Sequence, residues 1–236
     1  MRRTARIVGT LLIVTGFATL AWTITVWRWQ DPFTALYTHY EQHQLAATLK
    51  REFADYRPAR ASLAVSAAAQ EHELATAAAR FRRRARIGQP IGRIRIPRMS
   101  VNMVLVNGTD HDTLTKGPGR DPRTYMPGQG GLVYIAGHRT TYLAPFSHID
   151  LLRKGDRVTI EMPYATFVYT VTGHRVVPAD DLAVLHSHGH EQLELQACHP
   201  RFFATHRYIV YGRPIRVIPR GGPAFAPPAA GAVASD

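Results

Sequence analysis

The second half of the chain predicts an all-β domain, a closed or nearly closed barrel or a sandwich, behind an apolar N-terminal helix and a helical stretch. Three observations carry this expectation. Between Gln89 and Arg220 the sequence breaks into short β-type runs, among them GRIRIPRM, VNMVLV, GLVYIAG, DRVTIEM, TFVYTVTG, QLELQAC and RYIVYGRPIRVI. These runs are bounded by Gly, Pro or Asp and rich in β-branched and aromatic residues. No long amphipathic helix lies between them, which argues against alternating βαβ units, and close-set short strands suit a barrel or sandwich. The N-terminal region, in contrast, carries helical periodicity.

Composition narrows the class further. The 236 residues are 45% apolar and 19% charged, which excludes both a wholly disordered chain and a multi-span membrane protein. Lys and Arg total 29 against 17 Asp and Glu, a formal charge of +12. That balance favours anionic partners such as nucleic acid, phospholipid headgroups or an acidic wall polymer. Cys198 is the single cysteine, so no intrachain disulfide and no four-cysteine zinc site can form.

Residues 1–6 are expected to be a cytoplasmic N-terminus and 7–29 a transmembrane signal anchor. Ile7 to Trp27 contains no charged residue, and a helix of that length spans roughly 31 Å, close to the hydrocarbon thickness of a bilayer. Arg2, Arg3 and Arg6 precede it and Trp22, Trp27 and Trp29 gather toward its far end, which orients the N-terminus inward and the remainder outward. A cleaved signal peptide is the rival reading; the long apolar run and the lack of an A-x-A site favour an uncleaved anchor.

Residues 30–88 read as a helical extracellular stalk. Asp31 can cap a helix with Pro32 at its first position, and Phe33, Leu36, Tyr37, Tyr40, Leu45, Leu49 and Phe53 recur at helical spacing until Arg57-Pro58. An alanine-rich stretch then ends in the basic run Arg80 to Arg86, which outside a cell reads as a solvated or wall-attracted helix end rather than a nucleic-acid site. Residues 221–236, rich in Gly, Pro and Ala, are expected to be a flexible tail.

An exported chain with one cysteine draws attention to it. Cys198 ends the run QLELQAC and precedes His199-Pro200, where regular pairing stops. A lone cysteine is more often an inert core residue, so its function depends on a base and an anion stabiliser nearby. His138 ends the apolar run LVYIAGH and enters a polar loop. His199 adjoins the thiol, but strand neighbours point to opposite faces, and His206 is a weaker competitor. His186, His188 and His190 lie in HSHGH, read as a polar loop rather than a metal tract. Arg207 opens the run RYIVY, and an antiparallel return would bring it beside the cysteine's strand end, with a guanidinium suited to an oxyanion.

The motifs AGHRTTY (Ala136 to Tyr142), CHPRF (Cys198 to Phe202) and HRYIVYG (His206 to Gly212) together resemble the sortases. These are membrane-anchored cysteine transpeptidases of Gram-positive bacteria, and the GHRTTY and CHP variants are most similar to class E, the housekeeping type of actinobacteria. The resemblance covers residues 89–220 and implies an eight-stranded β-barrel with His138, Cys198 and Arg207 at the catalytic positions. It implies cleavage of a Thr–Gly bond in a C-terminal sorting signal of LAxTG or LPxTG type. A thioester on Cys198 then passes the acyl group to an amine, such as that of a lipid-linked peptidoglycan precursor.

Tyr142 matches a tyrosine common in class E and is a candidate for lining the substrate pocket. Ala197 stands where the family usually has threonine, which bears on substrate binding. The implied partners are surface proteins with sorting signals, an amine acceptor and membrane lipid, with no nucleic acid. No cofactor is expected, and a calcium requirement stays open. Two other readings compete: an L,D-type cysteine transpeptidase, whose S-H-G-C pattern is absent here, and a non-catalytic wall-binding domain.

Overall fold

The computed structural model describes residues 2–28, 32–58 and 67–227. Three helices come first: α1 (Arg2–Arg28), α2 (Pro32–Asp55) and α3 (Ala67–Arg84). Eight strands follow: β1 (Pro90–Ile96), β2 (Val101–Asn107), β3 (Gly119–Arg120), β4 (Leu132–Ala136), β5 (Arg157–Glu161), β6 (Ala165–Pro178), β7 (Gln192–His199) and β8 (His206–Pro219). A single-turn helix, α4 (His111–Leu114), sits between β2 and β3. The strands close into one barrel in the order β1-β2-β3-β4-β7-β8-β6-β5, so the barrel form of the all-β expectation holds and the sandwich does not.

Closure depends on pairings distant in sequence. β4 runs parallel to β7, with Leu132 opposite Gln192 and Ala136 opposite Gln196, and β7 pairs antiparallel with β8. β6 and β8 each carry 14 residues, long enough to pair along their length through two register shifts and bend the sheet round on itself. Side chains alternate inward and outward. Val133, Ile135, Leu193, Leu195, Ala197, Tyr208 and Val210 fall on the inner face and join the central core with Ile94, Leu105, Ile160 and Phe167. A second cluster of Leu132, Tyr134, Ala136, Val177 and Ile209 lies on the opposite, outer face of β4 and its neighbours.

The helices after α1 depart from the expected stalk. α2 lies on the barrel: Gln42 Nε2 donates to Val104 O (3.1 Å) and Lys116 O (2.7 Å), its Oε1 accepts from Val104 N (2.7 Å), and Leu45 and Leu49 pack with Val104 and Val106. α3 contributes Leu74, Ala78 and Phe81 to the central core. Leu45 and Leu49 of the apolar stripe read on α2 are therefore on a face the helix buries, whereas Phe33, Leu36, Tyr37 and Tyr40 stay exposed. The tail also begins bound, since Val217 and Phe225 exchange two backbone hydrogen bonds of 2.9 Å. The Asp31 cap, Trp29 and the tail from 228 onward lie outside the described residues.

Candidate active site

Alternation along β7 separates packing from chemistry. With Leu193, Leu195 and Ala197 turned into the core, Glu194, Gln196 and Cys198 occupy the outer face. Cys198 is half-buried. Its antiparallel partner on β8 is Arg207, and directly opposed residues project to the same face of a sheet. The antiparallel return expected from sequence is thus the observed register.

His138 reaches this strand end from the other side. The N–H of Gly137 donates to Gln196 O (3.0 Å), carrying the parallel β4–β7 ladder past Ala136 and leaving His138 beside the end of β7. A glycine is needed at 137 because a Cβ there would meet the buried Phe146 ring at 2.8 Å. The Phe146 N–H in turn donates to His138 O (3.0 Å), closing the loop behind the imidazole. The ring of Tyr142 lies 5.0 Å from that of His138 and meets His111 edge-on at 6.3 Å. Burial, and secondarily the charge of His111, pushes the His138 imidazole below its ordinary value. Among the described residues its buried Nε2 has no hydrogen-bond partner.

Arg207 is held by its own turn, donating through Nη1 to Ala204 O (2.7 Å) and His206 O (3.0 Å). Among the described residues no carboxylate forms an ion pair with it, which leaves the remaining guanidinium N–H groups for another acceptor.

Arg139, which sequence reasoning passed over as loop, is nearly fully buried at 5% exposure. Its Nη1 donates to Cys198 O (3.2 Å) and lies 2.9 Å from His199 Nδ1, Nη2 pairs with Asp150 (3.0 Å), and the guanidinium sits over the Tyr208 ring. Since arginine only donates, His199 Nδ1 must accept and its ring is neutral. Burial, followed by the Arg139 charge, holds His199 below its ordinary value. Arg139 thus binds the peptide of Cys198 and ties His199 away from the thiol's role. The signal for it was a charged residue three positions after a wholly apolar strand. His111, 27 positions upstream of His138 in the sequence, had no local signal.

Two expectations need adjustment. Ala197 is 0% exposed and lies in the central core, so its methyl presents no surface to a substrate. Tyr142 does lie by His138, in a loop where Tyr142, Leu143 and Ala144 all have positive φ (53°, 59° and 38°). His206 is exposed and contacts Thr205. His186, His188 and His190 lie on an exposed loop where the His188 and His190 rings stack. Among the described residues no cluster of three or more His, Cys, Asp or Glu could hold a metal.

A closed eight-stranded barrel with a thiol, an imidazole and a guanidinium brought by β7, β4 and β8 to one end of its outer surface defines a thiol-bearing β-barrel. Comparison with known proteins identifies which one. The sortase-domain profile matches residues 94–215, and the chain belongs to the sortase family. It is 34% identical over 130 residues to sortase D of Bacillus subtilis, covering 53% of this chain and 64% of that protein.

Among solved structures it is similar to a sortase D5 transpeptidase of Clostridium perfringens, with TM-score 0.60 and 25% identity over 75% of this chain and 99% of that one. Sortase E1 of Streptomyces coelicolor, solved with a tripeptide in its active site, matches with TM-score 0.53 and 26% identity over 57% of this chain and 93% of that one. The chain spans less than two thirds of the length of the curated relatives it matches, 64% and 59% of the first two.

Proposed function

We propose that the protein is a membrane-anchored cysteine transpeptidase that cleaves a Thr–Gly bond in a C-terminal sorting signal and transfers the acyl product to an amine. The observation carrying this reading is the shared strand end, where Cys198 opposes Arg207 and the Gly137–Gln196 bond holds His138 alongside. In the active form the Cys198 thiolate attacks the threonine carbonyl, and Arg207 donates to the oxyanion or a neighbouring substrate carbonyl. As the C–N bond breaks, the His138 imidazolium gives its proton to the departing glycine amine. An incoming amine then attacks the thioester, neutral His138 takes that amine's proton, and the thiolate leaves.

Burial disfavours the charged form of His138. Tyr142 lines the pocket beside His138, and on the GHRTTY and CHP motifs we assign the enzyme to a class E-like group with a Leu-Ala-x-Thr-Gly preference. Its hosts on that assignment are actinobacteria. The acceptor is a lipid-linked peptidoglycan amine.

α1 is the anchor. Arg2–Thr25 is long and apolar enough to cross a bilayer, with mean hydropathy 2.0 and none of it buried within the protein. Arg2, Arg3 and Arg6 at its start favour a cytoplasmic N-terminus and an external barrel. Intact-mass measurement of the full chain mixed with a Leu-Ala-x-Thr-Gly peptide tests the chemistry. An acyl adduct on Cys198, discharged by added triglycine, is expected; a protein that stays unmodified overturns the proposal.

A further inference from the structure

α2 has two faces with different surroundings. Thr34, Thr38, Gln42, Leu45 and Leu49 form the face turned to the barrel. Thr38 Oγ1 donates to Thr115 O (2.7 Å), Gln42 bonds β2, and Leu45 and Leu49 pack on Val104 and Val106. About 140° around the helix lies a second set, Phe33, Leu36, Tyr37 and Tyr40, spaced for one helical face. These side chains are 71%, 71%, 45% and 61% exposed. The same face continues as Gln44 and Ala47, so its large apolar groups are confined to the first two turns. A contiguous exposed apolar patch on a charged protein marks a binding surface.

The position of this patch identifies its partner. It follows the candidate membrane span, and the Phe33 ring packs 5.6 Å from that of Trp22, which belongs to the span. The patch therefore begins at the depth of the span's outer end. Its make-up of Phe, Leu and two Tyr is that of side chains which sit at a lipid–water boundary, apolar bodies inward and hydroxyls toward the headgroups.

We infer that the first two turns of α2 lie on the lipid surface, with Phe33, Leu36, Tyr37 and Tyr40 seated among the lipid headgroups and upper acyl chains. This rests on the reading of α1 as a membrane anchor. The barrel-facing side of the same turns reaches the active site, since Thr34 Oγ1 accepts a hydrogen bond from the Tyr142 N–H (3.1 Å) and Tyr142 packs on His138. The helix thereby fixes the loop beside His138 at the membrane surface. A sorting signal or acceptor held in the bilayer would meet the site without the barrel having to tumble on a long tether.

The test uses full-length protein with Cys198→Ala, which removes the native thiol, reconstituted in phosphatidylcholine–phosphatidylglycerol vesicles. Single cysteines at Phe17, Leu36, Tyr40 or Arg216, each labelled with a polarity-sensitive fluorophore, report local surroundings. Arg216 is exposed on β8 toward the opposite end of the barrel. Lipids with a nitroxide near the headgroup should cause loss of emission at 36 and 40 and leave 216 bright, while nitroxides deep in the acyl chains quench 17. Quenching at 17 with 36 and 40 as bright as 216 would overturn the inference and leave the anchor intact. Quenching at none of the four would overturn both. Blue-shifted emission at 36 and 40 that grows with protein density and ignores the nitroxides would seat a second copy of the chain on the patch, which also overturns it.

Discussion

The two faces of β7 carry the same backbone and opposite chemistry. On the inner face Leu193, Leu195 and Ala197 are almost wholly shut from solvent and belong to the central core. On the outer face Glu194 lies between Tyr134 and Tyr211, Gln196 between Ala136 and Ile209, and Cys198 opposite Arg207. One residue of slip would exchange the two sets, so the register that buries the leucines is also what exposes the thiol. Packing of the interior and assembly of the site are in this sense one event, and damage to the two faces should be separable by measurement.

The largest expected effect lies inside. Leu195→Ala should cost about 2–5 kcal/mol of stability, read as a lower denaturant midpoint with the slope unchanged. The fraction that stays folded should keep its turnover per molecule, because no reacting group touches that side chain. A variant of normal stability with turnover lost would break the separation of faces.

The outer face predicts a smaller, pH-dependent effect. Glu194 is 2% exposed, and burial drives its carboxyl up to about 7, partly offset by the Gln192 hydrogen bond. A folded value above the unfolded one means the native state holds a proton that the unfolded chain releases. Stability therefore falls as pH rises from the ordinary carboxyl range through about 7. Glu194→Gln should remove that slope and stabilise the protein at pH 8 by up to about 3 kcal/mol, with little change at pH 4. Thermal melts of both proteins across this range check it, and parallel curves would mean that Glu194 ionises at its ordinary value in the fold.

The strand ends were legible in the sequence because punctuation marks them. Pro200 stops β7 just after Cys198, and Gly137 closes β4 just before His138, where only a hydrogen atom fits beneath Phe146. Such signals are local. The parallel pairing of β4 with β7 joins residues about 60 positions apart and leaves no mark in either segment. For the same reason His111 beside Tyr142 could not be read. The helical stripe of α2 was visible, but the barrel it packs on was not. A stripe that buries against a barrel has the same 3.6-residue period as one on an isolated stalk. Ala197 misled in another way, since a departure from a familial motif draws attention to specificity while alternation had already turned that position inward.

The central claim is contact between the Cys198 thiol and the His138 ring, and the single cysteine lets alkylation report on it without background. The measurement is the rate of iodoacetamide modification of the full-length protein against pH, for the native chain and for His138→Ala. Coupled groups titrate in two steps. The native profile should therefore carry a lower inflection on the acid side of the ordinary imidazole range, where His138 gains its proton. The lower inflection should vanish in the variant. Superimposable profiles with a single inflection would contradict the account.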